Sequence, residues 1–352
     1  MIKLKDLDFR LSTGFALNID SLSIGVGEVF AIIGPNGAGK TTLLNILALL
    51  QDAKPANFEI GGRSALDRSG STALRRSMSY LFSRPYLIND TVYNNIALPL
   101  MFRGEKDSGQ VAEMLEVFKI AYLRDRSANQ LSQGERHRVS LSRAFVTRPR
   151  LVLLDEPFSS LDARVKEAII SDLRRITRAA RTTVVLVTQD QEEALALADV
   201  LAVIKEGRLL QTGRPETIFS RPASKEVADF VGVETMLGGE VTAASDNLCS
   251  VRVGDNTLAV VSACEAGDSV LLCVRPEAVA VSRSAEANSM RNHFKGTITS
   301  VEPWRLEYRL SIDCGFNLIA AVTKRSLDDM GLKPGDGIFA SFKATAAHLI
   351  KR

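Results

Sequence analysis

Near the amino end the apolar positions alternate: Ile2, Leu4, Leu7 and Phe9, then Phe15, Leu17, Ile19, Leu22 and Ile24. That period suits strands with one buried face, and it predicts half-buried antiparallel strands. Gly25-Val26-Gly27-Glu28 is a turn signal, and Val29-Phe30-Ala31-Ile32-Ile33 after it has no polar position. A short uninterrupted apolar run reads as a strand buried on both faces, as do Leu151–Leu154 and Thr183–Val187. Leu43–Leu50 reads as a buried helix, and Met78–Phe82 and Val200–Ile204 as further strands. From Thr91 to about Leu123 the spacing turns helical, through Val92, Ile96, Leu98, Val111, Met114, Leu115 and Phe118, with breaks at Gly104 and Gly109. Buried strands separated by helices imply a mostly parallel sheet with an antiparallel flank. From about Met236 short strands with Gly–Asp turns take over, at Glu240–Val241, Cys249–Val253, Leu258–Val261 and Val270–Val274, and predict a small β-barrel. The expected organisation is an α/β domain over 1–235, with a helical insertion at about 84–135, and an all-β domain over 236–352.

The strand at Val29–Ile33 runs into Gly34, Pro35, Asn36, Gly37, Ala38, Gly39, Lys40, Thr41 and Thr42, and the helix follows directly. Glycines let a main chain curl its N–H groups around a phosphate, and the helix aims its positive end at the same anion. Lys40 adds a charge for the outer phosphates and the Thr41 hydroxyl a ligand for Mg²⁺. Leu151–Leu154 ends in Asp155 and Glu156. Carboxylates at the carboxyl end of a parallel strand face the ligand crevice of an open sheet, so Asp155 can hold Mg²⁺ and Glu156 can act as general base. Ser132 with Glu135 three residues on forms a capping box, which starts a helix before Val139 and Leu141.

Composition narrows the partners. Charged residues are 24% and hydrophobic ones 45% of the 352 residues, an ordinary globular balance. A net charge of +3 is too small to call for nucleic acid. The longest apolar runs are far shorter than a membrane span, and the first residues lack the apolar core of a secretion signal, so a cytosolic location is expected. Cys249, Cys264, Cys273 and Cys314 form no CxxC and sit among apolar or small residues, as buried strand cysteines do.

With these pieces in place, the first 230 or so residues resemble the ATP-binding subunit of an ABC transporter. Gly34–Thr42 matches the Walker A loop, Leu151–Glu156 the Walker B strand, Leu131-Ser132-Gln133-Gly134-Glu135 the signature and Ser160-Leu161-Asp162 the D-loop. The resemblance implies a head-to-tail homodimer in which Ser132, Gln133 and Gly134 of one subunit meet the ATP held by the other. It also implies permease subunits docked near Ser83–Thr91 and an external solute-binding protein. Two positions depart from the family pattern. Ser83 stands where a Mg²⁺-contacting glutamine is usual, and Gln189 where a histidine that bonds the γ-phosphate is usual. Gln189 can donate an N–H but cannot carry charge, so slow or differently coupled hydrolysis is expected.

The second domain is similar to transport-associated OB-type domains of importer ATPases, through Val274-Arg275-Pro276-Glu277, and to their molybdate-binding (Mop) form. The latter resemblance rests on Ser289-Met290-Arg291-Asn292 and Ser341-Phe342-Lys343-Ala344-Thr345, and makes Ser289, Arg291, Asn292 and Lys343 candidate oxyanion ligands. The whole chain most resembles tungstate/molybdate importer ATPases, helped by Arg84-Pro85-Tyr86-Leu87. Polyamine, ferric-ion and sugar importers share the first domain. A non-transport ABC ATPase and a weakly hydrolysing regulatory protein are the rivals from other classes.

Overall fold

Among the described residues, ten strands form one sheet, with parallel pairing towards one edge and antiparallel pairing towards the other. The computed structural model describes the chain except Thr13, Arg68, Ser69, Pro85, Ser160 and residues 285–288. The D-loop serine and the proline of the 84–87 phrase therefore lie outside the described residues. The chain divides into two units, Met1–Glu216 and Thr217–Arg352.

In the first unit, β1 (Ile2–Arg10) and β2 (Ala16–Ile24) pair antiparallel, with Leu7 opposite Ile19. β3 (Val29–Ile33) leads through the glycine-rich loop into α1 (Lys40–Leu47). β4 (Asn57–Ile60), β5 (Arg63–Ser64), α2 (Ser71–Arg76) and β6 (Met78–Leu81) follow. The helical part comprises α3 (Val92–Arg103), α4 (Gln110–Val117) and α5 (Gln133–Phe145). Gly104 ends α3 in the left-handed conformation and Gly109 starts α4, which puts the break where the two glycines predict it.

The unit is completed by β7 (Leu151–Asp155), α6 (Ala163–Ala180), β8 (Thr183–Thr188), α7 (Gln191–Leu197), β9 (Val200–Lys205) and β10 (Arg208–Gly213). β3 pairs in parallel with β8 and β9, and β7 with β6 and β8, so the uninterrupted apolar runs occupy strands with a neighbour on each side. All residues of β3, β7 and β8 are buried. Asp172 on α6 accepts from Arg138 (2.7 Å) on α5 and Lys119 (2.9 Å), which ties the helical part to the sheet's covering helix.

The second unit starts inside α8 (Pro215–Ser220), continues through α9 (Lys225–Phe230) and then turns all-β. The division falls earlier than the change of sequence texture at 235/236. Arg275 donates to the carbonyls of Phe219 (3.1 Å) and Val231 (2.8 Å), and His348 Nε2 meets the Pro222 carbonyl oxygen (3.1 Å), so this linking stretch packs on the β-rich body.

One sheet of the second unit contains β11 (Thr235–Ser245), β12 (Leu248–Val253), β13 (Asn256–Val261) and β14 (Ser269–Val274). The other contains β15 (Ala280–Ser282), β16 (Asn292–Trp304), β17 (Glu307–Asp313) and β18 (Asn317–Thr323). After α10 (Lys324–Met330), β19 (Gly337–Phe342) joins the second sheet and β20 (Ala347–Lys351) the first. Their inner faces share one core that includes Val251, Leu258, Leu272, Leu310, Ile312, Leu318 and Phe342. All four cysteines are free and buried, and burial pushes the Cys273 thiol up to about 12 and that of Cys314 to about 11. Such thiols stay protonated and unreactive at neutral pH.

Candidate functional site

The glycine-rich loop connects the carboxyl end of β3 to α1, and its glycines are required by contact. A Cβ on Gly34 would stand 2.0 Å from the Ile204 carbonyl oxygen. Gly39 has φ +100°, and a Cβ there would lie 2.7 Å from the Phe15 ring. Phe15 thus lies against the loop.

Lys40 is 6% exposed, and its ammonium donates to the carbonyls of Gly34 (2.9 Å) and Pro35 (3.1 Å). The Glu156 carboxylate is 3.8 Å away. Burial lowers the Lys40 pKa, opposed by Glu156 and Asp155. This is a buried cation with no carboxylate in direct hydrogen-bond contact, an arrangement that favours an anion in the loop.

β7 and β8 bring the remaining groups to the same sheet edge. The Thr41 hydroxyl donates to Asp155 Oδ1 at 2.9 Å, and burial raises the Asp155 pKa despite that bond. The Tyr80 hydroxyl donates to Asn45 Oδ1 at 2.9 Å, and burial together with Asp155 holds the phenol well above its usual range. Glu156 sits at φ +46°, a left-handed conformation that a glutamate adopts only when its surroundings impose it. Its backbone N–H donates to Val187 O at 2.8 Å, across to β8. Burial raises the Glu156 pKa, Lys40 opposes and Glu193 adds to the rise, and the carboxylate accepts the backbone N–H of Gln189. A base with a raised pKa is better matched to taking a proton near neutral pH.

Gln189 follows β8 and is exposed, so what reaches Glu156 is its main chain. Ser83 lies two residues past β6; β6 pairs with β7 through Leu81 and Leu154, so Ser83 falls level with Glu156. At the start of α5, Ser132 Oγ caps the Glu135 N–H and the Glu135 carboxylate returns to the Ser132 N–H (2.8 Å). Ser132 and Gln133 are exposed and Gly134 is half-buried.

A clamp that sequence reasoning missed fixes the turn carrying Gln189. Lys166 on α6 pairs with Asp190 and with Glu193 (2.8 Å). Glu193, 2% exposed, accepts the Thr188 hydroxyl at 2.6 Å, and that hydroxyl accepts the Asp190 N–H at 3.0 Å. Gln191-Glu192-Glu193 looks like an ordinary acidic first turn, which masks the inward role of Glu193. Its three-residue spacing from the Asp190 cap is the one available sequence hint.

In the second unit, Asn292 is 1% exposed and its amide is committed to the backbone of Ala259, accepting from N–H at 2.8 Å and donating to C=O at 2.9 Å. It is therefore a cross-link between strands. Asn292 stands opposite Phe342 in the β16–β19 ladder, which brings Arg291 and Lys343 to one end of that pair. Ser289, Arg291 and Lys343 are exposed.

Comparison with known proteins agrees with this geometry. A family model described as ABC transporter matches residues 17–159, and one described as TOBE domain matches 288–349. The molybdate/tungstate import ATP-binding protein WtpC of Pyrococcus horikoshii is 33% identical over 99% of this chain and 99% of its own length. The spermidine/putrescine import ATP-binding protein PotA of Pseudomonas aeruginosa is 35% identical over 86% of this chain and 84% of its own. Among solved structures, the dimeric post-hydrolysis state of the ATP-binding cassette MJ0796, bound to ADP and Pi, is similar over 61% of this chain and 99% of that one, with a TM-score of 0.55 and 28% identity. The chain belongs to the ATP-binding subunits of ABC importers, and it is an ATPase of that family with a TOBE domain.

Proposed function

We propose that two copies of this chain bind two ATP molecules between them and drive two membrane permease subunits, served by an external solute-binding protein. The observation that carries this reading is the buried Lys40 ammonium, held by carbonyls at a glycine-rich helix start, beside Glu156. The loop Gly34–Thr42 would cradle the phosphates of ATP, with Phe15 against the loop as the aromatic for the adenine. Ser132, Gln133 and Gly134 of the other copy would close the site from outside.

The Thr41 hydroxyl and Asp155 carboxylate, 2.9 Å apart, are hard oxygen donors of the kind Mg²⁺ takes, and Mg²⁺ is usually bound by few protein groups plus phosphates and water. Those two residues would hold it, with Ser83 at the same sheet edge; once bound, the ion neutralises phosphate charge. Glu156 would take the proton of the attacking water, and the Gln189 N–H fixes that carboxylate. Without a histidine at 189, the γ-phosphate loses one cationic donor, so hydrolysis is slower than in relatives that have one. Gln189→His is then expected to raise the steady-state rate, and an unchanged rate counts against this explanation.

Among the described residues no helix is long and apolar enough to cross a membrane. Attachment at the cytoplasmic membrane face would run through permease contacts on the first unit. Phe82, Tyr86, Met101 and Phe102 are 57–78% exposed around the 83–91 segment and its following helix, an apolar surface suited to such a contact.

Mixing two variants tests the shared site. Lys40→Ala and Ser132→Phe proteins should each be inactive alone, and their mixture should recover hydrolysis, because a mixed dimer keeps one intact composite site. No recovery would contradict the pairing. For the solute we favour a tungstate- or molybdate-type oxyanion, with Ser289, Arg291 and Lys343 as ligands in the second unit and Asn292 as their structural support. Calorimetric titration of the full chain with tungstate, molybdate and sulfate should give heat that Lys343→Ala abolishes; flat traces for all three would remove the idea.

A further inference from the structure

A cavity of about 960 Å³ in the first unit lies away from all the groups above. It opens where β3, β7 and β8 begin, since Arg150 and Thr182 in its wall immediately precede β7 and β8 and Val26 lies in the turn before β3. The phosphate loop, Glu156 and Gln189 follow the opposite ends of the same strands. Its volume lies within the roughly 300–1,000 Å³ of small-molecule sites. Apolar walls come from Met114, Val117, Phe145, Ile176 and Ala179, and Val26 at the rim is 83% exposed.

The charged rim is unbalanced. Among the described residues of its lining, the side-chain cations Lys3, Arg148, Arg150, Arg175 and Arg181 outnumber the carboxylates Glu59 and Glu113. Glu113 is taken by Arg148 at 2.6 Å, and Arg175 bonds the Val117 carbonyl at 3.0 Å with Asp172 at 3.7 Å. Among the described residues, Lys3, Arg150 and Arg181 form no ion pair within 4.0 Å. An apolar floor under uncompensated cations discriminates against neutral and cationic ligands and favours a molecule with an apolar body and one anionic end.

We propose that this cavity binds an amphiphilic organic anion, its apolar body against Met114, Phe145 and Ile176 and its carboxylate or phosphate head among Arg150, Arg181 and Lys3. The ordinary alternative is a solvated basic cluster that merely complements the carboxyl end of α6. Calorimetry on the full chain with laurate, dodecyl phosphate, dodecyltrimethylammonium and dodecyl maltoside, each below its micellar concentration, separates the two. Saturable binding of laurate or dodecyl phosphate is expected, and which of them binds more tightly identifies the head group. Affinity should fall at least tenfold in Arg150→Glu and Arg181→Glu, and Ala179→Trp should block the cavity, all with ATP affinity intact as the check on folding. The proposal is overturned if neither anion binds, if the cationic or neutral probe binds as well, or if both charge reversals leave anion binding unchanged.

Discussion

Two sets of polar groups, one in each unit, are treated in opposite ways. In the first, Lys40, Asp155 and Glu156 are brought to one sheet edge and only partly satisfied by protein: Lys40 has two carbonyls and a carboxylate at 3.8 Å. In the second, Asn292 is satisfied on both sides by Ala259, and the Thr235 hydroxyl accepts the Ile319 N–H at 3.0 Å. Lys40, Asp155, Asn292 and Thr235 are all buried, so burial does not separate a working group from a structural one. What separates them is whether the protein itself supplies the partners. Residual hydrogen-bonding and charge capacity at the carboxyl ends of parallel strands is what a substrate can use; full satisfaction between antiparallel strands stabilises the fold instead.

Substitutions at four positions can break or sharpen that contrast. Lys40→Met should have the largest effect, an ATP affinity lower by about a hundredfold, the scale of a charge-assisted hydrogen bond to phosphate. Equilibrium nucleotide binding measures it, and a melting temperature near that of the parent would show that the residue serves ligand rather than fold. Asp172→Asn should cost about 2–3 kcal/mol of stability, because two charged donors lose an ionised partner. Burial raises the Asp172 pKa but Lys119 and Arg138 outweigh it and hold the group below its usual value. That contribution is present above the unfolded carboxylate pKa and is lost as pH falls through the lowered folded value. The stability gap between parent and variant, read by denaturant melts, should therefore close at acid pH.

Asn292→Ala should destabilise the second unit by about 1–2 kcal/mol and leave ATP turnover unchanged, since the Ala259 N–H and C=O lose their partner. Denaturation of the full chain and its hydrolysis rate report the two parts separately. Lys166→Met should have the smallest effect, lowering kcat by about tenfold through a loosened 188–190 turn while KM for ATP holds. Lys166→Arg should recover most of the loss, because either cation can span Asp190 and Glu193. A rise in KM with kcat unchanged would argue against a positioning role.

Much of this was legible in the sequence, for a physical reason. The loop at Gly34–Thr42, the capping box at Ser132 and the acids after β7 depend on local geometry, and local geometry leaves fixed spacings. The breaks at Gly104 and Gly109 were legible for the same reason. The clamp of Lys166 with Asp190 and Glu193 joins two helices across β8, and no spacing encodes that. Nor does spacing reveal whether a polar side chain is already satisfied: Asn292 stands in a ligand-like motif, yet both its amide atoms are taken by Ala259. The early start of the second unit was hidden likewise, because it depends on the reach of Arg275 back to Phe219 and Val231.

The central claim is that the groups left unsatisfied at the edge of the first unit's sheet cleave ATP. Steady-state phosphate release by the full chain with ATP and Mg²⁺, compared between the parent and Glu156→Gln at saturating nucleotide, tests it most directly. Loss of the general base should lower turnover by about a thousandfold while ATP binding persists. Equal rates at equal occupancy would contradict the claim.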